Sequence, residues 1–366
     1  MPSPADLRLH AVHAGAGARF GERRGQPVVV SYADPAGEYA AARATTALVD
    51  LPSRAVLEVS GPQRQKFLQG MLSQDVAARQ PGQGAHAALM SAKGAVQALL
   101  RVLVEKDVII LETDLDRIGP VQRTLEHHRV AAPVRFAARP TTVLALLGPE
   151  AARVLGTAGV DSPPASPGEH RVVAIAGHPV RLVRAGDLPG GGFVLHVAPE
   201  SSAAVWEALR ASGARPAGYD ALDALRVEAL RPWYGPDVTE ENLLHETGLV
   251  AECHSPTKGC YVGQEVVARL EARGGNVNKA LRGLRLSAPA TAGAAVRAEG
   301  REVGRVTTAA VSPRLGPIAL AYVHRGHLAP DTAVEVEGAP ATVVTTFENR
   351  AADEGATATP APGARP

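Results

Sequence analysis

Cysteine is almost absent from this 366-residue sequence, with Cys253 and Cys260 as its two thiols. Two cysteines cannot build a disulfide framework. They are also too few for the four protein ligands that iron–sulfur clusters and structural zinc sites normally need. The sequence therefore predicts a chain that folds on its hydrophobic core, since 45% of its residues are hydrophobic, in a reducing compartment and without a resident metal.

Long apolar runs and an excess of one charge are also missing. No run approaches the length needed to span a bilayer, and the first ten residues lack the apolar core of a signal peptide. Lys and Arg number 38 and Asp and Glu 37, for a net charge of +1. This balance argues against direct nucleic-acid binding, because general affinity for a polyanion needs a surplus of basic residues. We expect a cytoplasmic protein that does not enter membranes.

A short pattern occurs twice along the chain. The strand-like run 55–59 is followed by Gly61-Pro62 and a helical segment, and the apolar run 142–147 is followed by Gly148-Pro149 and another short helix. Proline is favourable at a helix start because its missing N–H would have been unpaired there. The repeat predicts two related halves of mixed α+β character.

The expected organisation follows from changes in this pattern. After residue 280 the sequence turns to short strands with frequent Gly and Pro, which is typical of a small β-barrel. The tail lacks apolar periodicity and is expected to be disordered. The predicted units are an N-terminal extension (1–45) lying on the first half, the first half of a ligand-binding region (46–140, completed by 216–278), a second α+β half (141–215), a C-terminal β-barrel (279–348) and the tail (349–366).

The most informative stretch runs from Gly218 to Gly275. It contains D-A-L-R-V-E-A from Asp223 to Ala229 and K-G-C-Y-V-G-Q-E from Lys258 to Glu265. These strings resemble the YgfZ-type folate-binding proteins, relatives of the aminomethyltransferase (T-protein) of the glycine-cleavage system. The resemblance covers about residues 46–348. It implies an α+β, aminomethyltransferase-like folate-binding region of two related halves, a C-terminal β-barrel, and tetrahydrofolate or a one-carbon derivative as cofactor.

Glu228 is the pterin-binding acid that the resemblance implies. Its chemistry fits, because a carboxylate can accept hydrogen bonds from the adjacent ring N–H and amino groups of a pterin. The alternative for this helical residue is a solvated ion pair with Arg231.

Cys260 is the candidate reactive thiol. A neighbouring Lys258 and a helix expected to start near Gly263 would both stabilise its thiolate. The alternative is a small buried apolar residue, the commoner fate of a free cysteine. Cys253 and His254 lie close in sequence, but two cysteines do not make a metal site, and Cys253 is interpreted as incidental.

The rest of the signature supplies candidate cofactor-binding residues, each with a structural alternative. The two glycines suit places where the backbone approaches a ligand. The tyrosine could equally pack in the core, and the glutamine could cap a helix. The arginine could bind the folate carboxylates or lie in solvent. These candidates are Lys258, Gly259, Tyr261, Gly263, Gln264 and Arg269.

One acid of the T-protein is missing here, and its absence decides which of two functions the resemblance favours. The T-protein carries an aspartate after its second strand, whereas the corresponding stretch here, Ser91 to Leu100, has Gln97 and Ala98, and neither can exchange a proton at neutral pH. The leading expectation is therefore a tetrahydrofolate-binding accessory protein for assembly or repair of iron–sulfur proteins, with cluster-carrying client proteins as partners and an indirect role in tRNA modification. The alternative is a tetrahydrofolate-dependent aminomethyltransferase or demethylase. Direct tRNA binding through a local basic patch ranks last. The leading expectation requires that the Glu228 helix and the Cys260 loop converge on one cavity.

Overall fold

The computed structural model describes residues 7–347. The predicted tail, 349–366, lies outside these residues. Within them, the chain forms two large β-sheets that share one core, with helices on their outer faces, a two-stranded sheet in the N-terminal segment, and a separate closed barrel. No helix in this part of the chain is long and apolar enough to cross a membrane.

The first sheet is antiparallel and carries helices on its outer face. Along its strands the side chains alternate, so that Val56 and Ile110 face the core shared with the second sheet, while Leu57 and Leu111 face the helices. This alternation is the period of two expected of a strand covered on both faces. The elements of this layer are β4 (Arg54–Ser60), α3 (Arg64–Met71), β5 (Gly84–Met90), β6 (Val96–Val104), β7 (Val108–Asp114), α4 (Ile118–Arg129) and β8 (Arg135–Arg139), and the strand order is β5-β6-β7-β4-β8.

The second sheet takes strands from both predicted halves. Its outer face packs on helices through Phe193, Trp206 and Leu209. The elements are β3 (Ala47–Asp50), β9 (Thr142–Leu147), α5 (Ala151–Thr157), β10 (His170–Ile175), β11 (His178–Ala185), β12 (Gly192–Val197), α6 (Ser202–Ala211) and β13 (Arg215–Pro216). The strand order is β10-β11-β12-β9-β3-β13, with only the last pair parallel.

The N-terminal segment contacts more than the first half, on which it was expected to lie. Leu9 belongs to the core behind the second sheet, and the His13 ring lies 4.8 Å from that of Trp206. Val28 and Tyr39 join the core between the sheets. Strand 47–50 pairs with strand 142–147 in the second sheet. The N-terminal segment that leads into 47–50 therefore also packs against the second sheet. The elements are α1 (His10–Gly15), β1 (Arg19–Arg23), β2 (Gln26–Ser31) and α2 (Pro35–Ala44).

The C-terminal part is the closed six-stranded barrel that the Gly- and Pro-rich pattern predicted. Three helices connect it to the sheets. The elements are α7 (Tyr219–Glu228), α8 (Val250–Cys253), α9 (Gln264–Glu271), β14 (Lys279–Leu286), β15 (Ala295–Ala298), β16 (Arg301–Ser312), β17 (Gly316–His324), β18 (Ala333–Val336) and β19 (Ala339–Val344). The strand order is β14-β17-β16-β15-β18-β19, and β19 pairs back to β14. The α+β class with a C-terminal barrel is confirmed.

Candidate functional site

A central cavity lies where the two sheets meet the segment that follows α7. Its enclosed volume is about 100 Å³, below the 300–1,000 Å³ typical of pockets that enclose a whole small molecule. It is therefore large enough for one ring-sized portion of a ligand. The lining residues that matter below are Arg101, Asp114, Asp187, Trp233, Glu252 and Cys253.

Asp187 is the most strongly held carboxylate of this cavity. Both of its oxygens accept from one guanidinium nitrogen of Arg101 at 2.8 Å, and Nε2 of His86 lies 3.4 Å away. Although burial opposes the charge, Arg101 and His86 hold the pKa of Asp187 well below its usual range. The side chain keeps 29% of its surface exposed. Asp187 is thus an ionised acceptor that a ligand can reach.

Arg101 is fixed from behind by a second buried carboxylate. Its other terminal nitrogen donates to Glu112, which also pairs with Arg54 at 3.0 Å and lies 2.9 Å from Nε2 of His196. Burial opposes ionisation of Glu112, but the two arginines keep its pKa well below normal. This network fixes the position of Arg101, and so of Asp187, before any ligand arrives.

Asp114 behaves in the opposite way in the same cavity. Burial raises its pKa, and the guanidinium of Arg54, 3.0 Å from Oδ2, only partly offsets this. Two carboxylates in one site whose environments move their pKa values apart suit different tasks. Asp187 suits binding as an anion, and Asp114 suits holding and returning a proton.

An aromatic side chain completes the cavity. Trp233 packs edge-to-face on Tyr219, with ring centroids 6.0 Å apart, and the guanidinium of Arg226 lies 4.8 Å from its ring centroid. These contacts hold the indole in a fixed orientation. A flat ring beside an ionised carboxylate is a suitable surface for a heterocycle with N–H groups.

Glu228 is not part of this cavity. Its carboxylate accepts from the hydroxyls of Tyr39, at 2.7 Å, and Ser312, and it pairs with Arg43 at 3.1 Å and Arg314 at 3.4 Å. Glu228 therefore joins α2 to the turn between β16 and β17, and only 9% of its surface is exposed. The alternative pair with Arg231 is not formed, because Arg231 pairs with Glu252, and the pterin-binding role of Glu228 stays a prediction.

Lys258 anchors the signature loop to the first sheet layer. Its ammonium donates to three backbone carbonyls, those of Gln69 at 2.7 Å, Leu72, and Gln74 at 3.2 Å. Burial lowers the pKa of Lys258 to about 8, so it remains mostly protonated at neutral pH and can satisfy all three. Its ammonium is thus occupied by structural bonds.

Cys260 lies at the surface of this loop and is exposed, whereas Cys253 is buried and lines the central cavity. Burial raises the pKa of the Cys253 thiol. The sequence expectation of one cavity shared by Glu228 and Cys260 is therefore not met. The contacts of Glu228 lie on α2 and the barrel, while Gly263, in the Cys260 loop, contacts the hairpin after β5.

The remaining signature residues have local roles. Gly263 has φ +86°, and a Cβ there would lie 2.7 Å from the carbonyl oxygen of Ser91, so glycine is required where α9 begins against the hairpin. Gln264 opens α9 and accepts from the N–H of Tyr261 at 3.3 Å, as a cap would. Tyr261 is buried under the Lys258 ammonium, 4.7 Å from its ring centroid. Gly259 is exposed, and Arg269 is an exposed residue paired with Glu265 at 2.6 Å.

Sequence reasoning missed Asp187, Arg101 and Trp233. Asp187 lies in the loop Gly186-Asp187-Leu188-Pro189 between two apolar strands, a position where binding residues are common. Arg101 could also have been noticed in the sequence, because a charged residue in the middle of the apolar run 96–104 needs a partner.

Comparison with known proteins decides the family. The GCVT N-terminal domain matches residues 9–255. The glycine cleavage T-protein C-terminal barrel domain matches residues 279–347. This chain belongs to the glycine cleavage T-protein family.

Several curated proteins similar to this chain are named aminomethyltransferase. The aminomethyltransferase of Saccharopolyspora erythraea is 31% identical over 92% of this chain and 95% of its own length, and one from Thermus thermophilus is 31% identical over 90% and 94%. The aminomethyltransferase T of the Bartonella henselae glycine cleavage system shares the fold, with a TM-score of 0.85 and 24% identity over 93% of this chain and 97% of that one. The family-level resemblance is thus confirmed, and these names favour the alternative function over the leading expectation. The YgfZ subtype stays a prediction.

Proposed function

We propose that this chain binds tetrahydrofolate or a one-carbon derivative in the central cavity and is a folate-dependent aminomethyltransferase or demethylase. The observation that carries this proposal is the Arg101-held carboxylate of Asp187, which shares a ring-sized cavity with Trp233. The carboxylate would accept from the pterin N–H groups while the indole packs beside the ring. The rest of the folate would lie outside the enclosed volume. The cytoplasmic location expected from the sequence stays a prediction.

The proton chemistry is assigned to Asp114 rather than to the position of the missing aspartate. Gln97 cannot exchange a proton, and its Oε1 is buried without a hydrogen-bond partner in the part of the chain that the structure describes. Asp114 lines the cavity, and burial favours its protonated form. When bound, tetrahydrofolate supplies the acceptor for a one-carbon unit. Asp114 would hold the proton that this transfer moves.

The test combines binding with turnover. We expect calorimetry to show tetrahydrofolate binding, and an aminomethyl thioether donor to yield methylene-tetrahydrofolate with release of ammonia and the free thiol. Asp114→Asn should lower turnover roughly 100-fold or more, the usual contribution of a general acid or base, with little change in affinity. Asp116→Asn, at an exposed carboxylate two residues on, is the matched control. Absence of folate binding would reject the proposal, and turnover unaffected by Asp114→Asn would reject the role of that residue.

The accessory role in iron–sulfur protein assembly or repair, with indirect support of tRNA modification, is the second candidate. The observation that favours it is an exposed thiol, Cys260, on a loop pinned by three Lys258 hydrogen bonds. A fixed, accessible thiol outside the cavity can meet a client protein while folate occupies the cavity. Arg269, on α9, is paired with Glu265, which gives direct tRNA binding no support.

A rescue experiment tests this second role. In a strain lacking the gene, we expect Cys260→Ser to fail to restore the activity of iron–sulfur enzymes, because the serine hydroxyl does not replace a thiolate nucleophile at neutral pH. Cys253→Ala is the matched control and should restore that activity. Equal rescue by wild type and Cys260→Ser would remove the accessory role of the thiol.

A further inference from the structure

A second cavity lies beside the central one and shares Arg54 with it. Its volume is about 380 Å³, within the range of small-molecule pockets. It forms where the N-terminal segment crosses the junction of the two sheets. Its walls are largely apolar and include Leu7, Pro27, Ala55, Val56, Ile118 and Val143.

A carboxylate lies in this cavity, at the end of β3. Asp50 lines the cavity and is only 7% exposed. Its Oδ2 lies 3.1 Å from Nε2 of the fully buried His13, whose Nδ1 lies 2.9 Å from the hydroxyl of Tyr32. When the tyrosine hydroxyl donates to Nδ1, the ring proton is on Nε2 and is donated to Asp50. The Tyr32–His13 pair therefore orients this carboxylate.

The inner polar atoms of the cavity are incompletely satisfied. Among residues 7–347, His13 is the only side chain that pairs with Asp50, through Oδ2, so Oδ1 has no partner there. Thr142 also lines the cavity, and its buried hydroxyl has no hydrogen-bond partner within the same range. A buried hydroxyl without a partner is unfavourable unless a ligand or water satisfies it, and Oδ1 of Asp50 is free to accept beside it.

Positive charge lies elsewhere on the same cavity. Arg8 is exposed, lines the cavity, and has no ion pair in the described part of the chain. Arg54 is already engaged by Glu112 and Asp114, and Arg139 by Glu58 at 2.6 Å. The cavity thus offers a buried acceptor for a cation, apolar walls and an available guanidinium for an anion.

We propose that this second cavity binds an apolar α-amino acid. The ammonium group would lie at Oδ1 of Asp50 with the Thr142 hydroxyl as a further acceptor, the carboxylate would pair with Arg8, and the side chain would cover the apolar walls. A ligand with both charges satisfies the buried carboxylate and the free guanidinium together, whereas a singly charged ligand leaves one of them unpaired.

Three matched probes test this binding by calorimetry on the full chain. L-leucine carries both charges, 3-methylbutylamine lacks the carboxylate, and 4-methylpentanoate lacks the amine. We expect L-leucine to bind most tightly, the amine roughly tenfold more weakly and the acid not measurably, since a lost charge-assisted bond costs about that factor or more. No binding of L-leucine, or equal binding of 4-methylpentanoate, would overturn the proposal.

Two substitutions identify the site. Asp50→Asn should lower the affinity for L-leucine and the amine at least roughly tenfold, whereas Arg8→Gln should weaken L-leucine alone. Arg8 is exposed, so its substitution should leave folding intact. Arg8→Gln therefore still tests the site if Asp50→Asn does not fold. Arg210→Gln, on the remote surface of α6, is the control. Unchanged binding of L-leucine to Arg8→Gln and Asp50→Asn would place it outside this cavity.

Discussion

Arg226→Gln should unfold or severely destabilise the protein. The Arg226 side chain is fully buried, and its guanidinium donates to Asp223 at 2.7 Å, Asp237 at 2.6 Å and the Thr308 hydroxyl at 2.8 Å. Removing one partner of a buried charged network costs about 3–5 kcal/mol, here because the fully buried Asp237 loses its counter-charge, whereas Asp223 keeps its pair with Arg23. That is a large part of the roughly 5–15 kcal/mol by which domains are usually stable.

Denaturant unfolding followed by circular dichroism measures this loss. Arg210→Gln is the matched control, because Arg210 also pairs with a carboxylate three residues away but is exposed on α6. Its stability should change by less than about 0.5 kcal/mol, as for other exposed ion pairs. A loss below about 1 kcal/mol for Arg226→Gln would show that the network does not hold the barrel to α7.

The Arg226 network shows which structural role the residues of the family motif have in this fold. In the string from Asp223 to Ala229, the acid and the arginine share one ion-pair network, and Glu228 ties α2 to the barrel. The motif therefore marks the junction of the sheets with the barrel. The residues of a family motif are needed together, either because they form a ligand site or because they form a structural junction.

The parts that could be predicted rest on local patterns. The alternation of Val56 and Leu57, the turn at Ser91 to Gly94, and the start of α9 after Gly263 depend on neighbours in sequence. The central cavity does not depend on neighbours in sequence. Asp187 and Arg101 are brought together by the packing of two different sheets, and no local periodicity carries that information.

The Lys258 loop shows the same limit at the level of one side chain. A lysine next to a cysteine in sequence was expected to stabilise its thiolate. In the structure the ammonium points to the carbonyls of Gln69, Leu72 and Gln74 instead. Sequence proximity correctly places Lys258 and Cys260 in one loop. The direction of the lysine side chain is decided by buried acceptors from a distant segment of the first sheet layer.

Asp187→Asn and Glu228→Gln should separate folate binding from structure. Asp187→Asn removes the anionic acceptor in the central cavity but leaves Arg101 paired with Glu112. Loss of charge-assisted hydrogen bonds worth about 1.5–3 kcal/mol should weaken tetrahydrofolate binding roughly 10- to 100-fold, with a small change in melting temperature. Glu228→Gln should instead lower the melting temperature, because Arg43 and Arg314 lose their counter-charge, and should leave the dissociation constant nearly unchanged.

Both variants are measured by calorimetry with tetrahydrofolate and by thermal unfolding without it. The crossed design distinguishes a binding residue from a junction residue, since each variant should change one readout and spare the other. If Glu228→Gln loses folate while Asp187→Asn retains it, the pterin acid is the one that the motif implied and the central cavity is not the folate site. If the expected pattern is found, an ionised carboxylate held by a buried arginine binds the cofactor, and the helix that carries the motif holds the barrel in place.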